Sequence, residues 1–188
     1  MRTWAALLAV LCACPAARPA DPEPPKPRQA PPVPEPEADK VRIYPKVTVR
    51  KSSTKYTLEV LGIELVGKIN PVGTMAAINI TQWLRKIADE DLFITVGQKN
   101  MDLLDAKLLA GCDSNEVPCM QKVAASLGAD RLIFGIVNDF GGDFYVHMTM
   151  LDAASGTTAV WTGNTFATSR DAEYTAKVAL DALITKMP

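Results

Sequence analysis

The pattern of hydrophobic residues predicts an α/β (α+β) domain on a single sheet, in the order β-α-β-α-α-β-β-β-α, with helices packed on the sheet and a C-terminal antiparallel meander. Three observations predict it. Apolar residues recur at three- and four-residue steps in four segments, the signature of helices with one buried face. Arg131 to Val137 is a nearly continuous apolar run, rich in β-branched residues and too short for a globular helix, which suits a central strand buried on both faces. Two alternating segments follow it, set off by Asp139-Phe140-Gly141-Gly142-Asp143 and Asp152-Ala153-Ala154-Ser155-Gly156, so the end of the sheet is a three-strand meander.

In chain order, residues 1–16 carry Arg2 as their only charge ahead of the apolar segment Trp4 to Cys14, followed by small residues, and read as a secretory signal. That run is too short to span a bilayer, and no later stretch approaches the roughly 20 apolar residues a spanning helix needs. Leu11-Cys12-Ala13-Cys14 has the form of a bacterial lipobox with Cys14 as the residue to be acylated, although Cys12 departs from the small or hydroxyl residue usual there. Cys14-Pro15-Ala16 equally suits an ordinary signal peptidase, so a lipid anchor and simple secretion both stay open. Residues 17–39 form a proline-rich tether: from Pro15 to Pro36 the chain holds ten of its fourteen prolines, and nothing there can join a packed core.

Residues 40–188 have the length of one ordinary domain. Removing the leader through Ala20 takes away Arg2 and Arg18, leaving eighteen basic against twenty-one acidic residues, a net charge of −3, and nothing points to nucleic acid. Lys40 to Lys55 is locally basic, but its cations alternate with Val41, Ile43, Val47 and Val49 and lack a stacking series of aromatics, which predicts a solvated strand face. Tyr56 to Val66 reads as one strand. Asn70-Pro71 opens a helix whose apolar face is Val72, Met75, Ala76, Ile80, Trp83, Leu84 and Ile87. Leu92 to Val96 is a short strand, and Asn100 to Ala110 a helix with Met101, Leu104, Leu108 and Leu109 inward. Pro118 to Leu127 is a helix with Met120, Val123, Ala124 and Leu127 on one face and Gly128 as its left-handed cap. In the meander, Phe144, Val146, Met148 and Met150 face the core while Tyr145, His147 and Thr149 face a wetter side, and Ala159, Trp161 and Gly163 alternate with Thr158, Val160 and Thr162. Thr168 and Ser169 can cap a last helix that turns Ala176, Ala179, Leu180, Leu183, Ile184 and Met187 to one side.

No catalytic or metal set emerges. His147 is the only histidine and has no converging nucleophile, so it reads as a surface or interface residue. Cys112 and Cys119 together with His147 could supply three metal ligands, but the cysteines lack the close spacing of zinc hooks and a fourth ligand is not evident. In an oxidising envelope a Cys112–Cys119 disulfide is the better account. Asp102 with Asp105, and Asp139 with Asp143, read as a polar helix face and turn chemistry. No cofactor is expected.

The run Leu108-Leu109-Ala110-Gly111-Cys112, then Cys119, Ala124-Ala125-Ser126-Leu127-Gly128-Ala129-Asp130, a strand ending Gly135-Ile136-Val137, and Leu151-Asp152 before Ser155-Gly156 resembles the TolB amino-terminal-like domains. More broadly the chain is similar, over Tyr56 to Met187, to the CsgG and LpoB group of bacterial envelope proteins, especially the cysteine-bearing versions in predicted lipoproteins of deltaproteobacteria. The resemblance implies a non-enzymatic domain that acts in envelope assemblies and brings no catalytic residues with it. The expected function is an exported interaction or scaffolding module in the periplasm or on the outer membrane. Its partners would be other envelope proteins, a membrane through the lipid anchor, or further copies of itself, and Tyr145, His147 and Thr149 are the interface candidates. The alternative is a periplasmic domain that binds a small ligand or peptide between helices and sheet.

Overall fold

β4 (Arg131–Asp139) is the axis of the fold. In the computed structural model, which describes residues 43–67, 70–97, 101–140, 143–165 and 168–187, it pairs with a neighbour on each side. The signal segment, the tether, Cys14 and the Gly141-Gly142 pair lie outside the described residues. β1 (Tyr56–Val60) and β2 (Glu64–Val66) lie end to end along one edge of β4, parallel to it, and β3 (Ile94–Val96) adds parallel to β1. On the other side β5 (Phe144–Asp152) and β6 (Thr158–Thr165) complete the antiparallel meander, so one sheet of six strands carries the domain.

Among the described residues four helices pack on it: α1 (Pro71–Asp89), α2 (Leu103–Ala110), α3 (Val117–Leu127) and α4 (Ser169–Lys186). α1 and α4 cover one face, where Leu58, Val60, Ile133, Val137, Phe144, Val146, Met148 and Met150 meet Ala76, Ile80, Leu84, Ala176, Leu180 and Leu183 in the main core. α2 and α3 lie on the opposite face and close a smaller core of Leu61, Leu103, Met120, Val123, Leu132, Phe134 and Leu151. That second layer stops short of the β4–β5 hairpin. α4 therefore does not cover the face of Tyr145, and α2 with α3 covers only part of it.

The local signals act as sequence physics requires. Asn70 accepts the Gly73 N–H at 2.7 Å ahead of Pro71, capping α1. Gly128 takes φ 69° and ends α3, and the next N–H, that of Ala129, returns to the Ala124 carbonyl at 3.0 Å. Thr168 caps α4 by accepting the Asp171 N–H at 3.1 Å.

Several expectations need correction. Tyr56 to Val66 is two strands, because Val60 pairs with Ile133 and Glu64 with Ile136, so three residues oppose two and the ladder bulges at Leu61–Ile63. There the Gly62 N–H leaves the sheet to donate to the Met101 carbonyl at 3.0 Å. The described part of the basic segment is no strand at all. It is a strap held by α4 and the end of α1: the Tyr44 ring lies 5.0 Å from that of Tyr174, tilted by 46°, and its hydroxyl bonds Asp171, Arg50 N–H donates to Asp181 at 2.9 Å, and Ser52 N–H donates to Asp91 at 2.7 Å. Its Val47 and Val49 alternate because they rest on helices, a pattern that sequence cannot tell from a sheet. β3 begins at Ile94, since Asp91 accepts the Phe93 N–H at 3.0 Å in a tight turn that leaves Leu92 exposed.

Two helices bury a different stripe from the one expected. In α1 Val72 and Met75 are exposed and Trp83 half-buried, while Gly73, Ala76 and Ala77 are inside; a Cβ on Gly73 would lie 2.9 Å from Leu65, so small residues set the approach and long ones are left outside. α2 starts at Leu103, with Asp102 as its cap, and buries only Leu103 and Ala106, leaving Leu104, Leu108 and Leu109 exposed.

Candidate functional site

Strand register assembles the open part of the sheet in rows. Leu132, Leu151 and Thr158 lie in line, with Leu151 and Thr158 beside the start of α3. The next row is Phe134, Thr149 and Val160, then Glu64, Ile136, His147 and Thr162, then Val66, Asn138, Tyr145 and Asn164 beside the hairpin. Moving along them the surface opens: Phe134 is buried, Ile136, His147 and Thr149 are half-buried, and Tyr145 and Val160 are exposed at 40% and 38%. Tyr145, His147 and Thr149 thus share one face with two apolar neighbours, Ile136 and Val160. β4 is buried on both faces only through Gly135; beyond it, Ile136 and Asn138 look onto this surface.

Where α3 overhangs the rows, a groove of about 580 Å³ runs between helix and sheet. Its floor is Phe134, Ile136, His147, Thr149 and Val160, and its wall is Asn115, Glu116, Val117 and Met120 at the start of α3. Among the described residues no lysine or arginine lines it. Such a groove can hold apolar side chains and offers His147, Thr149 and Glu116 as polar contacts.

The cysteines hold that wall. Cys112 and Cys119 are disulfide-bonded, with Cα atoms 5.7 Å apart, tying the loop after α2 to the first turn of α3. Cys119 is buried, and Cys112 is half-buried against the smaller core. Joined sulfurs are not thiolate ligands, and among the described residues no group of three or more His, Cys, Asp or Glu could hold a metal. On the chain-entropy account, closing so short a loop contributes about 2.5 kcal/mol. Reducing the disulfide should therefore lower the free energy of unfolding by that amount, read as a lower urea midpoint; an unchanged midpoint would show that packing alone fixes the wall.

The other motif residues of the family resemblance are structural. Asp130 accepts the Thr57 N–H at 2.7 Å and fastens the end of α3 to β1. Asp152 accepts the Ser155 N–H and hydroxyl, each at 2.9 Å; the backbone bond above all holds its carboxyl below the usual range. Asp152 also faces Arg131 at 3.7 Å, and Arg131 in turn lies 4.2 Å over the Tyr56 ring and donates to the Met187 carbonyl at 2.8 Å. Burial raises the Tyr56 hydroxyl above its ordinary pKa. A buried carboxylate, Glu59, escaped the sequence reading because it stands in an apolar strand; it is only 2% exposed and attracts Arg85, whose pKa burial lowers. Asp102 caps α2 through the Asp105 N–H at 2.8 Å, and Asp139 accepts from Asn70 at 2.5 Å.

Sequence reasoning named the middle strand of the open face and missed its flanks: Ile136 and Asn138 on β4, Glu64 and Val66 on β2, and Asn164 on β6. Their periodicity was visible, but only register shows which residues stand side by side. No described helix is long and apolar enough to cross a membrane.

No protein-family model matches the chain, and no curated protein does. Among solved structures it is similar to the LpoB C-terminal domain from Salmonella enterica, at 16% identity and TM-score 0.42 over 62% of this chain and 85% of that one. It is similar to TolB from Acinetobacter baumannii at 11% identity and TM-score 0.46, covering 76% of this chain and 30% of that one. Lipoprotein GNA1162 from Neisseria meningitidis matches at 12% identity and TM-score 0.38, over 57% of this chain and 76% of that chain.

Proposed function

We propose that this is a non-enzymatic, exported protein of the bacterial envelope that binds other proteins through the open face of its sheet. The observation that carries the reading is the set of rows from Phe134–Thr149–Val160 to Val66–Asn138–Tyr145–Asn164, half-covered by α3 and open toward the hairpin. It mixes a tyrosine and a histidine with aliphatic side chains and neutral hydrogen-bonding groups, the composition of a recognition surface. The leader, the proline-rich tether and the sequence resemblance to TolB-like and CsgG–LpoB-like domains support an envelope setting. In this reading Cys14 is the acylated residue, and Cys14→Ala releases the chain from the membrane fraction.

The groove beneath α3 favours a second reading, a small ligand or peptide seated on Phe134, Ile136 and Val160. One experiment tests the protein-binding reading. The double variant Tyr145→Ala, His147→Ala removes two broad contact surfaces from a half-open face. It should lose capture of envelope partners while keeping the wild-type melting temperature. Retained capture with a large loss of melting temperature would mean that the face is packing and that the binding reading fails.

A further inference from the structure

Among the described residues, β6 is an edge strand without the usual protection. Sheet edges are kept from pairing by shortness, charge, proline, bulges or a covering element. β3, at the opposite edge, is three residues long. β6 is eight residues long, and Thr158–Thr165 contains neither a charged residue nor a proline. Its register with β5 is unbroken from Phe144–Thr165 to Leu151–Thr158, so no bulge twists it away. Among the described residues one side chain meets its outer edge, Lys186, whose Nζ donates to the Val160 carbonyl at 2.5 Å. That carbonyl is therefore turned outward, and in an antiparallel ladder residues two apart turn their N–H and C=O the same way, so Thr162 and Asn164 do as well.

We propose that β6 pairs antiparallel with β6 of a second copy of this chain, about a two-fold axis at Thr162. A row of outward N–H and C=O groups calls for another extended backbone, and an uncharged strand can meet itself without setting like charges opposite one another. Centring on Thr162 sets it against Thr162 of the second copy and sets Val160 against Asn164 of the second copy at both ends. All of these residues turn their backbone groups outward, so each pair exchanges two hydrogen bonds. Lys186, a long exposed side chain, gives up the Val160 carbonyl to the Asn164 N–H of the second copy. The pairing goes beyond the binding reading and has a consequence for it. Antiparallel pairing across a two-fold keeps the same face of both sheets on one side, so the row Glu64–Ile136–His147–Thr162 runs on into its own mirror order in the second copy. The two open faces become one continuous surface.

Sedimentation of the full exported chain over a concentration series tests this. The wild type should show a concentration-dependent dimer, and Thr162→Lys, which puts two ammonium groups at the axis, should weaken it by about tenfold or more. Thr162→Cys should form a reducible covalent dimer under mild oxidation, whereas Thr185→Cys, exposed on α4, and the parent chain should not. A wild type that stays monomeric throughout, a dimer indifferent to Thr162→Lys, or absence of the Thr162→Cys cross-link overturns the proposal. Should the lysine variant melt early, the cross-link decides alone.

Discussion

Phe144→Ala should lower the free energy of unfolding by about 3–5 kcal/mol, whereas Tyr145→Ala, one residue on, should cost less than about 1 kcal/mol. The two side chains leave β5 on opposite faces. Phe144 is 1% exposed and fills the space under the start of α1, its ring within 3.1 Å of where a Cβ on Gly73 would lie. Truncation leaves a cavity that α1 cannot collapse into, because Asn70 fixes its first turn both by capping Gly73 and by donating to Asp139. Tyr145 loses only contacts at a half-wet surface. Urea unfolding of the two variants at equal slope measures both, and comparable losses would contradict the assignment of faces.

Gly135→Ala should cost roughly 3 kcal/mol or more, a large effect for one methyl group. Gly135 stands opposite Met148 in the middle of the sheet, and a Cβ there would lie 2.4 Å from the His147 carbonyl oxygen and 3.1 Å from the Met148 Cα. Both are backbone atoms, so neither can turn aside; β5 itself must move. Because His147 and Thr149 ride on that stretch, a shift of β5 also displaces the open face. Loss of stability should therefore come with weakened partner capture. A wild-type melting temperature in Gly135→Ala would show that the strands part here without cost.

The meander was legible because each of its strands has a dry and a wet set of alternate residues and its turns carry Asp, Ser and Gly where a reversal needs them. From that alternation alone Tyr145, His147 and Thr149 fall on one face and Phe144, Val146 and Met148 on the other, as the structure has them. α2 was not legible in the same way. Leu103, Leu104, Leu108 and Leu109 are more apolar residues than a helix of eight buries on one side here, and only its contact with α3 selects Leu103 and Ala106. The strap before β1 failed for a different reason: alternating valines report a surface to lie on, and α4 offers one as well as a sheet does. The groove was hidden because it depends on how far α3 reaches across the rows, which is fixed by tertiary contacts such as the Gln121 amide donating to the Ala153 carbonyl at 2.9 Å. No periodicity encodes such a contact.

The central claim, that this domain works by binding protein through the open face, is tested most directly by site-specific photo-cross-linking in the envelope of producing cells. A photoreactive residue placed at Tyr145, or at Asn138 opposite it on β4, should give covalent adducts with a discrete protein other than a second copy of this chain, while one at Thr185, exposed on α4, should give none. Adducts from Thr185 alone, or none from either position on the open face in a chain that is folded and exported, would contradict the account.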